Sequence, residues 1–394
     1  MNFADYLTQK LAAIKGRGLY REPKYLASPQ GPRVMIEGRE FLLFSSNSYL
    51  GLCSDPRLKQ AAYEAIASYG VGTGGSRLTT GSYEIHRQLE REVAHLKGTE
   101  RALVFNTGYM ANVGTISALA GPEWVIFSDE LNHASIVDGC RLSEGEVVIY
   151  AHGDVKDLKE KMAHYRGRPA LIVTDGVFSV DGDMAPLDDL VALAREEKAV
   201  LMVDDAHATG VLGPHGGGTA DLFNLSQEID IQMGTFSKAL ASEGGFIAGK
   251  GVLIEYLINK ARSFIFSTAL NPASCAVSLA ALSIVKSEPE RRRELLEKAR
   301  WMREKLVAIG LPVLKGETPI IPIIIGEATQ TVEFSQRLWQ RGIFIPALRP
   351  PTVKAGTSRL RISLMATHTW EDLQSTVEAI GEVAREMKLR GKGP

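Results

Sequence analysis

A series of short apolar runs, separated by stretches of helical spacing, constrains this chain more than any other feature. Ala102–Phe105, Trp124–Phe127, Val147–Tyr150, Ala170–Val173 and Val200–Val203 contain no polar position. A strand with one wet face alternates polar and apolar residues. These runs do not alternate, so both faces of each strand must be covered. Between them, Ser82–Lys97 places Ile85, Leu89, Val93 and Leu96 on one helix face, and Asp188–Glu197 is also helical. Strands that alternate with helices predict an α/β fold with a large, mostly parallel sheet.

Later segments read differently. After Ser287-Glu288-Pro289 comes a charged helix over Glu290–Leu306, then a strand at Pro322–Ile325 and a helix near Thr331–Gln340. A strand at Arg359–Leu364 follows. Thr369-Trp370-Glu371-Asp372 opens the last helix as a capping box, with Leu373, Val377, Ile380 and Met387 as its apolar face. The division predicted is an N-terminal helix and arm over 1–58, a large domain over 59–289 and a smaller C-terminal α+β domain over 290–394. Phe3, Tyr6, Leu7, Leu11 and Ile14 predict a docking helix rather than a targeting segment. Lys388–Pro394 reads as a frayed end.

Composition removes several functions. Lys and Arg number 45 against 46 Asp and Glu, so no charge excess points to nucleic acid. No apolar run approaches the ~20 residues of a membrane helix. Cys53, Cys140 and Cys275 are widely spaced and form no metal-binding or disulfide pattern, which suits a reducing cytoplasm. The eight His show no metal-ligand spacing. Gly72-Thr73-Gly74-Gly75-Ser76-Arg77 lacks a leading strand and the GK[ST] of a nucleotide loop.

Open parallel sheets bind ligands beyond the carboxyl ends of their strands. The residues that follow the apolar runs are Asn106-Thr107-Gly108-Tyr109, Ser128-Asp129-Glu130-Leu131-Asn132-His133, Thr174-Asp175-Gly176-Val177-Phe178-Ser179 and Asp204-Asp205-Ala206-His207. The run ending at Met233 delivers Gly234-Thr235-Phe236-Ser237-Lys238 before a further strand in Glu243–Gly249. A lysine between two buried strands either reaches water or gives up its proton. A neutral lysine amine can form a Schiff base with a carbonyl cofactor.

Pyridoxal phosphate would use these parts together. It needs a carboxylate on its pyridine nitrogen, and Asp204 suits, although a lone Asp is more often a helix cap. His207, three residues on, can reach the same ring, and His133 is a flat group that could cover it. Either could equally be a satisfied loop histidine. The phosphate favours a helix N-terminus such as Gly108-Tyr109, with the Thr235 hydroxyl beside it.

The motifs resemble the α-oxoamine synthases, fold-type-I pyridoxal phosphate transferases that condense an amino acid with an acyl thioester. They include Ser45-Ser46-Asn47-Ser48-Tyr49-Leu50-Gly51-Leu52, Gly72-Thr73-Gly74-Gly75-Ser76-Arg77-Leu78, Asp129–Ser135, Asp204-Asp205-Ala206-His207, Gly234–Ala239, Phe266-Ser267-Thr268-Ala269 and Gly356–Arg361, so the likeness covers almost the whole chain. Glu243 departs from many relatives. The resemblance implies pyridoxal 5′-phosphate held by Lys238, with Asp204 on the ring nitrogen and His133 stacked on the ring. His207 and Ser179 would contact the cofactor. Gly108, Tyr109 and Thr235 would hold its phosphate side, and Thr268 would reach the phosphate of a neighbouring subunit in a homodimer. Arg361 and Asn47 would bind the amino-acid carboxylate, with Arg359 the rival cation, and Arg21 and Thr352 would meet the acyl substrate. Lys238 would also be the base that takes the α-proton. Arg349-Pro350-Pro351-Thr352-Val353 is similar to the branch that joins L-alanine to pimeloyl-CoA or pimeloyl-acyl carrier protein, with loss of carbon dioxide, in biotin synthesis. Branches that use glycine with acetyl-CoA or succinyl-CoA, or serine with a long acyl-CoA, share parts of these motifs. A non-catalytic scaffold subunit would lack the lysine that this chain has.

Overall fold

The computed structural model describes residues 2–17 and 19–389. Helix α1 (Phe3–Gly16) is capped by Asn2 and Asp5 but buries none of its residues. Phe3, Tyr6, Leu7 and Leu11, predicted to dock, are exposed in the single chain. Of the Lys388–Pro394 end, 390–394 lie outside the described residues.

Strands β1 (Arg33–Ile36) and β2 (Arg39–Leu43) form a hairpin. Its two-residue turn, Glu37-Gly38, takes positive φ at both positions, which is the geometry that matches strand twist. Helices α2 (Pro56–Tyr69) and α3 (Glu84–Lys97) follow. In α3, the predicted stripe of Ile85, Leu89 and Val93 is buried. The central sheet then begins with β3 (Arg101–Phe105), α4 (Gly108–Leu119), β4 (Val125–Asp129), α5 (Ala134–Leu142) and β5 (Glu146–Tyr150). It continues with β6 (Ala170–Asp175), β7 (Val200–Asp204), β8 (Ile231–Thr235) and β9 (Gly245–Gly249).

These seven strands lie in the order β3-β9-β8-β7-β6-β4-β5. The five from β8 to β5 are mutually parallel, and β9 runs antiparallel to both β8 and β3. Every residue of β4, β8 and β9 is buried, as unalternating runs require. Because β9 reverses direction alone, β3, β4, β6, β7 and β8 all end on one rim. Register sets Asp175 of β6 beside Asp204 of β7, and Asp204 beside Met233 of β8.

The C-terminal segments carry β10 (Ile320–Gly326), β11 (Ile343–Phe344), β12 (Ala347–Leu348) and β13 (Ser358–Ser363). A three-stranded antiparallel sheet has the order β10-β13-β12. The short β11 pairs in parallel with β2, so the N-terminal hairpin is built into the C-terminal sheet region. The final helix, Trp370–Glu386, starts with the expected Thr369–Asp372 capping box. Among the described residues, no helix is long and apolar enough to cross a membrane.

Candidate active site

At the strand-end rim lies a cavity of about 180 Å³, lined by Gly108, Tyr109, Asn112, His133, Ser135, Asp175, Ser179, Asp204, His207, Thr235 and Lys238 among others. Eight sequence-predicted site residues thus meet in one place: Gly108, Tyr109, His133, Ser179, Asp204, His207, Thr235 and Lys238.

The loop between β8 and β9 aims Lys238. Phe236 N–H donates to Gly244 O (3.0 Å) and Ser242 N–H to Phe236 O (2.9 Å), so the loop is tied at its base. Gly244 has φ +105, and a Cβ there would meet Leu270 Cδ2 at 3.0 Å. Only glycine closes the loop without strain. Lys238 is half-buried, and burial pushes its amine below the ordinary lysine range, opposed by the charges of Asp204 and Asp175. Among the described residues, neither carboxylate closes an ion pair with it.

Asp204 is 3% exposed. Its Oδ1 accepts from Ala206 N–H (2.9 Å) and its Oδ2 from Asn112 Nδ2 (2.7 Å). Beside it, Asp175 is held well above the usual carboxylate range by burial and by the charge of Asp204. Asp175 accepts from His133 N–H at 2.9 Å. Among the described residues, no cation is bonded to Asp204.

His133 caps α5, accepting from Ser135 N–H. The residue keeps exposed surface, and its partial burial, with the charge of Lys238, pulls its pKa below the ordinary value against the opposing pull of Asp204. His207 is buried and held well below the ordinary range by burial, then by the charges of Lys238, Arg361 and His133. Both rings are neutral near pH 7.

Thr107 caps α4, and Gly108 and Tyr109 form its first turn in the cavity wall. A Cβ on Gly108 would sit 2.9 Å from Met233 Cε and 3.4 Å from Thr235 Cβ, so glycine keeps this helix start close to β8. The positive end of α4 suits an anion. Thr235 is buried and donates to Gly244 O at 2.8 Å.

Arg361 and Asn47 lie just outside this cavity and touch each other, Arg361 Nη2 donating to Asn47 Oδ1 at 3.2 Å. Arg361 also donates to Ser179 O (2.6 Å), Ser363 Oγ (2.6 Å) and Tyr49 Oη (3.5 Å). It has no acidic partner among the described residues. Its rival Arg359 is ion-paired to Asp181. An arginine bonded only to neutral groups leaves its charge free for a carboxylate. Arg21 Nη2 reaches Thr352 Oγ1 at 3.4 Å. Thr352 lines a second cavity with Ser179, Asp181, Lys354 and Arg359. Thr268 and Glu243 line a third with Asn106, Thr107 and Ser237, so neither enters the first cavity within one chain.

Three residues of the network were not picked out from sequence. Tyr49 bonds His207 and Arg361, Asn112 bonds Asp204, and Ser135 bonds His133. A signal existed for Asn112: it sits four residues after Gly108, on the same helix face, and is the one amide side chain in that helix.

A buried carboxylate with two N–H donors and no cation suits a protonated ring nitrogen. With an unpaired lysine amine, a histidine that keeps exposed surface and a helix start nearby, these residues fit pyridoxal phosphate.

Residues 39–380 match the family described as aminotransferase class I and II. An 8-amino-7-oxononanoate synthase from Lysinibacillus sphaericus is 51% identical over 386 residues, covering 98% of this chain and 99% of its own. A solved structure of SPT (serine palmitoyltransferase) with a PLP internal aldimine superposes with a TM-score of 0.94 at 30% identity, covering 99% of this chain and 100% of its own. That of 8-amino-7-oxononanoate synthase from Francisella tularensis gives 0.78 at 30% identity, covering 89% and 99%. Fold, strand-end site and sequence agree, and the chain belongs to the class I and II aminotransferase family, in its α-oxoamine synthase branch.

Proposed function

We propose that this chain is a pyridoxal 5′-phosphate-dependent acyltransferase that condenses L-alanine with a pimeloyl thioester, on CoA or an acyl carrier protein, to form 8-amino-7-oxononanoate. The observation that carries the chemistry is the half-buried amine of Lys238, without an ion pair, in one cavity with the buried carboxylate of Asp204. The choice of substrates rests on the name of a relative 51% identical over 98% of the chain.

Pyridoxal phosphate, when bound, supplies the carbonyl that takes an amine and the electron sink for a carbanion. Lys238 is its anchor, and its depressed pKa favours the neutral amine that must attack. With the amino acid bound, the same amine would serve as the general base for its α-proton. Asp204 keeps the ring nitrogen protonated, and Asn112 and Ala206 hold that carboxylate in place. His133 offers a neutral flat face, His207 and Ser179 contact the ring, and Thr235 with the α4 start takes the phosphate. Arg361 and Asn47 bind the alanine carboxylate. Arg21 and Thr352 meet the acyl group. The α-carbon would bond to the thioester carbonyl as the carbon–sulfur bond breaks and the thiolate leaves; the amino-acid carboxylate would then depart as carbon dioxide, and the Lys238 ammonium would return its proton to the α-carbon.

The working unit in this reading is a homodimer in the cytoplasm. Thr268 reaches the other subunit's phosphate site, and the exposed α1 stripe faces a second copy. The three free cysteines suit a reducing compartment.

A substrate panel tests the reading. Alanine, glycine and serine are each paired with pimeloyl-, acetyl-, succinyl- and palmitoyl-CoA, and thiol release is followed. Alanine with pimeloyl-CoA should give the highest kcat/KM. Preference for serine with palmitoyl-CoA, or for glycine with a short acyl-CoA, would refute it.

A further inference from the structure

Asn112 and Ser135 are both buried, at 0% and 1% exposure, and they lie between the two groups proposed to face the cofactor ring. Asn112 Nδ2 is 2.7 Å from Asp204 Oδ2 and 2.8 Å from Ser135 Oγ. Ser135 Oγ is 2.7 Å from His133 Nδ1.

The protons along this chain can be assigned in order. An Asn amide has two N–H donors, and a carboxylate only accepts. Asp204 therefore turns the nitrogen of Asn112 towards itself. One N–H goes to Asp204, and the other goes to Ser135 Oγ. The Ser135 hydroxyl then accepts, so its own proton is available for His133 Nδ1. Ser135 N–H points to the same nitrogen at 3.2 Å. With two donors directed at it, Nδ1 must carry a lone pair, and the neutral ring bears its proton on Nε2. The Asn112 carbonyl oxygen is buried and has no partner among the described residues. Asn112 leaves it unbonded while both of its N–H groups are taken up, one by Asp204 and the other by Ser135.

We propose that Asn112 and Ser135 are positioning residues that couple Asp204 to His133: Asn112 aims the Asp204 carboxylate and, through the Ser135 hydroxyl, fixes His133 as the neutral Nε2–H tautomer. The consequence rests on the proposed function above. An uncharged ring lies flat on a protonated pyridine without repelling it, and the carboxylate stays aligned with the ring nitrogen. Both partners are set before any ligand arrives.

The first test needs no cofactor. The chain is labelled with ¹⁵N-histidine, and long-range ¹H–¹⁵N correlation spectra are recorded at neutral pH. His133→Gln identifies the His133 signals. The wild type should show His133 neutral with its proton on Nε2, and Ser135→Ala should move the Nδ1 resonance towards that of a free lone pair. Ser135→Thr, which keeps a hydroxyl, should restore it. A proton on Nδ1, a cationic ring, or an Nδ1 resonance unmoved in Ser135→Ala overturns the proposal. The second test uses holoenzyme. Asn112→Ala should lower kcat by about tenfold with KM for the amino acid little changed, because a misaimed Asp204 acts on the chemical step. An unchanged kcat overturns the proposal. A protein that binds no pyridoxal phosphate would defeat the functional reading, and the tautomer measurement would still decide this inference.

Discussion

The hydroxyl of Tyr49 lies 2.6 Å from Nδ1 of His207, and the same oxygen lies 3.5 Å from Arg361 Nη2. Tyr49 is fully buried, and burial raises its pKa, so it remains a proton donor. One phenol thus joins a strand-end histidine of the large sheet to an arginine on the C-terminal sheet. Tyr49→Phe keeps the ring and removes the bond. The expected loss is about 1 kcal/mol of stability by denaturant unfolding. In steady-state assays kcat/KM should drop by about three- to tenfold, because both partners lose their aim.

Arg361 and Arg359 sit two residues apart on β13 but have different surroundings. Arg361 bonds only neutral groups, whereas Arg359 is paired with Asp181. Arg361→Lys should raise KM for the amino acid and lower kcat/KM on the order of 10- to 100-fold, since a lysine cannot bond both carboxylate oxygens in a fork. Arg359→Lys should leave that KM within about twofold. Equal effects of the two changes on KM would remove the distinction.

Behind the site, Lys97 Nζ donates to Asp205 Oδ2 at 2.9 Å and to Gly217 O at 2.5 Å, with both side chains at 1% exposure or less. Asp205 also accepts from Thr219 N–H and Thr219 Oγ1, which pins the turn that carries Asp204 and His207. Lys97→Met leaves a buried carboxylate without its cation and should cost about 3–5 kcal/mol. Lys97→Met with Asp205→Asn should recover part of this loss. Urea unfolding of the four proteins in a double-mutant cycle measures it.

Acid should weaken the fold through its buried histidines. His368 is fully buried, stacks on Phe44 with ring centroids 4.3 Å apart, and accepts from Met365 N–H through Nδ1. Burial lowers its pKa to about 4. Below the ordinary histidine pKa the unfolded chain binds this proton and the folded chain does not, so stability falls as pH drops from about 6.5 towards 4. The limit for this one residue is about 3 kcal/mol. His86, His133 and His207 are also shifted down by burial and act in the same direction. The denaturant midpoint should fall between pH 7 and pH 5, and His368→Asn should flatten that slope. An unchanged slope would show that His368 titrates normally.

The sequence disclosed the large sheet well because buried strands leave a local mark: β4, β6 and β7 each open on an unbroken apolar run. It disclosed the strand-end residues for the same reason, since Asp204, His133 and Lys238 each follow such a run. The hairpin of β1 and β2 was hidden, although Glu37-Gly38 is a suitable turn, because its pairing with β11 joins residues about 300 apart. Tyr49 was hidden because its role lies in a contact across the fold: it meets His207 158 positions away. No spacing rule within one segment reports such a bond.

The central claim is that Lys238 anchors pyridoxal phosphate in the cavity it shares with Asp204. Borohydride reduction of the loaded protein, followed by peptide mass spectrometry, tests it most directly. The account predicts a single phosphopyridoxyl adduct on Lys238, absent from Lys238→Ala, whose fold is retained. An adduct on another lysine, or no adduct with saturating cofactor, would contradict it.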